Sequence, residues 1–203
     1  MRFLQQLFNF YINASIHVAL AVYALVRITA LYFDLPYNVP LDYFIFFGTI
    51  TGYNFVKYAG VAKLHHRSLA THLKVIQIFS LICFLLLCYY AWQLSIKTLL
   101  LFVPLGVLTL LYAIPFLSGF QKNLRSIGYL KIIIVALVWV GATVFVPVLD
   151  VKEEFTNQLC LTAVQRFFLV VVLILPFDIR DMKYDSISLQ TIPRKIGIQK
   201  QRC

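Results

Sequence analysis

The sequence predicts an all-α fold, a polytopic bundle of six transmembrane helices that forms a single transmembrane domain over residues 1–203. Three observations predict it. Hydrophobic residues make up 61% of the chain, charged residues 13%, and the mean hydropathy is +0.84, against about 45–50% apolar and about 25% charged in an ordinary soluble domain. Six mostly apolar runs follow one another between polar breaks and nearly exhaust the 203 residues, each close to the roughly 20 residues that a spanning helix needs. The basic residues also sort to one side. With the amino terminus in the cytoplasm, 14 of the 18 lysines and arginines fall inside and five of the eight acids fall outside, the pattern of the positive-inside rule.

The first span is expected over about Leu7 to Phe33, longer than the apolar stretch of a cleaved signal peptide and so retained. It carries Asn13, Ser15, His17 and Arg27. Asn13 and His17 are four apart and share a helical face, where they line a cavity or bond to a neighbouring helix. Arg27 lies in the outer half and is expected to snorkel to the surface. A short outer turn with Pro36 and Pro40 leads into the second span, about Val39 to Tyr58. A basic inner loop containing His65, His66 and His72 follows, with spacing that suits a metal poorly. The third span covers about Val75 to Trp92 and the fourth about Leu99 to Phe116, with Pro104 and Pro115 as bends. The fifth, about Lys131 to Leu149, is expected to end at Pro147. The sixth, about Leu161 to Phe177, returns the chain to the inner side.

The net charge of +10 therefore reads as a topology signal and a contact for anionic lipid or substrate phosphate, not for nucleic acid. Cys83, Cys88, Cys160 and Cys203 are scattered without the spacing of a disulfide framework or a zinc site.

Chemistry concentrates in residues 176–197, PFDIRDMKYDSISLQTIPRKIG. If the helix continues out of the membrane, Asp178, Asp181 and Asp185 stand at i, i+3 and i+7 and point the same way. Such a face suits a hard cation. Mg²⁺ typically binds through one or two carboxylates together with the phosphates of a substrate. Arg180, Lys183, Arg194 and Lys195 equally suit a solvated, charged membrane-exit segment, and spacing alone leaves both readings open.

The run Asp178-x-x-Asp181-x-x-x-Asp185, followed by Thr191-Ile192-Pro193 and Gly197, resembles the second aspartate-rich motif of the UbiA family of membrane prenyltransferases. Here the step from the last Asp to the Thr-x-Pro is one residue shorter than usual, and the Gly often found between them is absent. The family's first motif stands at the end of the second helix. Asn54 matches its leading asparagine, but Phe55, Tyr58 and Ala62 occupy the places of its carboxylates. The loop from Leu117 to Arg125 resembles the family's basic loop after the fourth helix.

The resemblance implies Mg²⁺ on Asp178, Asp181 and Asp185, holding a polyprenyl diphosphate on the cytoplasmic side of a bacterial inner membrane. Asn54, Lys57, Lys122, Arg125 and Arg180 are then the candidate diphosphate contacts. The expected activity is transfer of the polyprenyl group to an acceptor, with the motif loops near 53–74 and 176–197. The alternative is a non-catalytic family member that binds an isoprenoid diphosphate or lipid, or serves as a partner subunit, which the eroded first motif favours. A transporter fits less well, because the acids cluster at a helix end and not at the midplane. The family fold has nine transmembrane helices, so six imply either a truncated version of it or a bundle that a further chain or a second copy completes.

Overall fold

A computed structural model describes residues 2–58, 70–113, 128–152 and 154–181. Among these residues the regular structure is entirely helical: α1 (Arg2–Asn13), α2 (Ile16–Tyr32), α3 (Val39–Tyr58), α4 (Ala70–Gln93), α5 (Ile96–Ala113), α6 (Gly128–Val140), α7 (Val146–Val151) and α8 (Asn157–Asp181). A wide π turn, Gly141–Phe145, joins α6 to α7. Three helix starts carry a side-chain cap. Asn38, Ser95 and Thr156 each precede a helix, and each side-chain oxygen accepts from the backbone N–H three residues on, at Leu41, Thr98 and Leu159 (3.1 Å in each case). This is the N-cap bond that satisfies an orphan donor of the first turn.

The chain is a membrane protein. Four helices are long and apolar enough to cross a bilayer, Lys74–Gln93, Ile96–Ala113, Leu130–Val151 and Asn157–Pro176, or five if the bent pair α1 and α2 is one span. In the first two of these, only 11% and 6% of the residues are buried within the protein. Apolar surface on that scale is not sustained in water and is solvated by lipid. The six expected spans are thus matched in part. The second, Val39–Tyr58, is a 20-residue helix but is not among the apolar four, since Asp42, Asn54, Lys57 and its threonines dilute the run. The first is not one helix.

The break in the first expected span lies at Ala14–Ser15. Ser15 has φ 62°, in the left-handed region, where a side chain is uncommon. Across it α1 and α2 are bent by 60°. Asn13 and His17 therefore sit on different helices and do not share the face expected of them. Pro147 likewise does not end its helix, because α7 continues through it to Val151. Proline has no N–H and crowds the carbonyl four residues back. The π turn just before it widens the helix where that crowding falls.

Contacts group the chain into two compact units, Met1–Leu101 with Val146–Glu153, and Phe102–Phe145 with Glu154–Cys203. In the first, α3 packs against both α2 and α4, and α7 packs on α2. Ala19, Ile50 and Cys83 are buried at its centre against Phe46, Phe47 and Phe79. In the second, α6 and the π turn pack on α8, burying Ile132, Ala136, Val140, Val144, Leu159 and Val170. Gly141 belongs there because a Cβ at that position would meet the Leu105 side chain, with Cδ1 at 2.9 Å and Cγ at 3.2 Å.

Candidate functional site

Two places in the structure gather the residues that the sequence singles out. The first is the end of α8. The apolar span closes at Pro176 and the helix continues to Asp181, so Asp178 and Asp181 are three residues apart in one helical run. That register puts the two positions on one side of the helix. For residues 177–181 the structure describes the backbone alone. Asp185, Lys122 and Arg125 lie outside the described residues, as do the histidines at 65 and 66. Among the described residues no group of three His, Cys, Asp or Glu side chains is placed to hold a metal ion.

The second place is the α1–α2 break, where Asn54 and Lys57 meet the chain. A helix ending inside a membrane protein leaves carbonyls that need donors, and α3 supplies them. Asn54 is buried, with 3% of its surface exposed. Its amide nitrogen donates to the Ala14 carbonyl (3.2 Å) and to Ser80 Oγ on α4 (2.8 Å), and its oxygen accepts from Ser15 Oγ (2.9 Å). One turn on, Lys57 Nζ and the Tyr58 hydroxyl donate to the Asn13 carbonyl (3.2 and 3.0 Å), and Lys57 also reaches Asn13 Oδ1 (3.5 Å). Asn54, Lys57 and Tyr58 stand at i, i+3 and i+4, the spacing of one helix face. The face is a clasp on the broken backbone. Both amide protons of Asn54 are already committed in it.

No family model, curated protein or solved structure matches the chain. Its chemistry is therefore argued from the residues themselves.

Sequence reasoning missed Ser15, Ser80 and Tyr58 as parts of this cluster. A signal was present in the change of pattern at Asn13–Ser15, from strictly two-sided in α1 to apolar all round in α2. Next to the break, His17 Nδ1 is buried without a hydrogen-bond partner among the described residues, as is Thr51 Oγ1 on α3; the Tyr11 ring lies 5.8 Å from the imidazole.

At the far end of the same unit, Arg27 meets the start of α3. Its guanidinium pairs with Asp42 (3.1 Å), whose side chain is 4% exposed, and stacks over the Tyr37 ring at 4.4 Å. The carboxylate is buried in the first turn of α3, while the arginine side chain stays 29% exposed. Beside them Asp150 accepts from Asn38 Nδ2 (3.3 Å) and from the Thr98 hydroxyl. Arg27, Asn38, Asp42 and Asp150 line a shallow cleft together with Val26, Leu35 and Pro147. The groups there are mutually satisfied, and this end reads as structural.

Proposed function

We propose that this membrane protein binds an isoprenoid diphosphate with Mg²⁺ through Asp178, Asp181 and Asp185 and transfers the polyprenyl group to an acceptor, as does the UbiA family that it resembles. The observation that carries the reading is the position of the first two aspartates. They follow the apolar span Asn157–Pro176 immediately, three residues apart on a helix that runs to Asp181. Carboxylates at a span's mouth reach a soluble cation and a phosphate headgroup while the adjoining helix stays in lipid. The donor set fits Mg²⁺, which prefers oxygen ligands and shares them with substrate phosphates.

When bound, the ion supplies neutralisation of charge on the departing diphosphate. The aspartates would hold that ion, and Arg180, Lys122 and Arg125 would offset remaining negative charge. Exposed apolar residues along α8, among them Leu161, Val164, Phe168 and Val172, offer a path for the isoprenoid tail. The excess of basic residues on the Asp178 side supports a cytoplasmic site and a cytoplasmic amino terminus in a bacterial inner membrane.

A second reading, binding without transfer, is favoured by the first unit. Phe55 and Tyr58 stand where the family has carboxylates, and Asn54 and Lys57 are committed to the helix break. Turnover separates the two. Purified protein with Mg²⁺, a polyprenyl diphosphate and a panel of aromatic acceptors releases diphosphate if it is an enzyme. Saturable binding with no release under any acceptor establishes the binding protein.

A further inference from the structure

We propose that α1 lies along the membrane surface as a lipid-docking helix, with one face in the acyl boundary and the other in water. At about 100° per residue, Gln5, Gln6, Asn9 and Asn13, with Arg2, fall within a single arc of α1. Leu4, Leu7, Phe8, Tyr11 and Ile12, with Phe3 and Phe10, fill the rest. The division has no exceptions. Leu4, Leu7 and Phe8 are 72%, 51% and 60% exposed, whereas Phe10, at one edge of the apolar arc, meets the Phe79 ring of α4 at 5.3 Å. The protein thus covers one edge of the arc and leaves its middle open.

The lipid interface is the occupant because α1 continues directly into a membrane helix. Residues of α2 such as Leu20, Ile28 and Leu31 also present exposed apolar surface, so exposed apolar residues stand on both sides of the Ser15 bend. Length gives the orientation. The 17 residues of α2 rise about 26 Å, enough to cross most of a hydrocarbon core of about 30 Å. Adding the 12 residues of α1 in line would overshoot by about half. A 60° bend instead turns α1 toward the membrane plane, where a one-sided helix is stable.

The residues at the bend agree with that depth. Lys57 and Tyr58 both donate to the Asn13 carbonyl at the end of α1, and lysine and tyrosine are the side chains that anchor at the headgroup level. The polar arc holds neutral amides apart from Arg2, so docking rests on apolar burial and not on anionic lipid.

The test places single tryptophans in the full chain carrying Trp92→Phe and Trp139→Phe, reconstituted in phosphatidylcholine vesicles. Leu4→Trp and Phe8→Trp should give blue-shifted emission, quenched by lipids brominated near the headgroup more than by lipids brominated near the chain ends. Gln5→Trp and Asn9→Trp should emit at longer wavelength and be quenched by aqueous iodide. Replacing part of the lipid with phosphatidylglycerol should leave all four unchanged. Iodide quenching of all four, deep-lipid quenching of all four, or apolar-arc tryptophans shielded from both quenchers, as under a second copy, would each overturn the proposal. So would docking that appears only with anionic lipid.

Discussion

Replacing Asn54 with alanine should cost about 2 kcal/mol of stability, because one side chain closes three bonds at the α1–α2 break. The bonds run to Ser15 Oγ, the Ala14 carbonyl and Ser80 Oγ at 2.8–3.2 Å, in a site where Asn54 is 3% exposed. Hydrogen bonds between membrane helices average about 0.6 kcal/mol and reach about 1.7, which puts three near 2 kcal/mol and below about 5. The loss is not uniform. Ser80 lies within α4 and can turn back to the carbonyl four residues earlier. Ala14 and Ser15 sit where the helix is interrupted and have no such recourse, so Ser80→Ala alone should cost only about 0.6 kcal/mol.

Reversible unfolding of the purified protein in mixed micelles, titrated with a denaturing detergent, reads the difference. About 2 kcal/mol is roughly a thirtyfold change in the folding equilibrium constant. Asn54→Ala with wild-type stability, or one no less stable than Ser80→Ala, would refute the clasp. Loss of diphosphate binding at unchanged stability would go further and return Asn54 to the substrate.

Arg27→Ala should destabilise by about 2–3 kcal/mol, below the roughly 3–5 of a fully buried pair, because the arginine side chain is 29% exposed against 4% for Asp42. Adding Asp42→Asn should recover most of the loss in the same unfolding measurement. Gly141→Ala should cost about 1–3 kcal/mol by overpacking against Leu105, and the penalty should shrink in a Leu105→Ala background; equal penalties in both would refute the contact.

The membrane class and most helices were legible because lipid imposes one rule, long apolar runs between polar breaks, and the chain keeps it from Lys74 to Pro176. The side-chain caps at Asn38, Ser95 and Thr156 came from the structure, although each rests on a bond only three residues long. The break at Ser15 was not read, since a serine in a left-handed conformation carries no mark of its own and the change from a two-sided to a mostly apolar pattern is spread over the helices on either side. Asn54 shows the limit most clearly. Its position at the end of α3 was readable, but its partners are 39, 40 and 26 residues away, and only the fold reveals that the amide is spent on backbone and serine. The Asp42 partner of Arg27 was hidden in the same way, because the pairing depends on how α3 packs on α2. The aspartates from 178 to 185 were legible as a spacing, and α8 carries the first two on one helix.

The most direct test of the central claim is equilibrium binding of a labelled polyprenyl diphosphate in detergent, with Mg²⁺ or with a chelator. The chain as it stands is compared with one carrying Asp178→Asn, Asp181→Asn and Asp185→Asn together. The account predicts saturable binding that needs Mg²⁺ and falls by at least about tenfold in the triple variant. Binding of equal strength in the variant, or no binding by the unaltered chain, would contradict it.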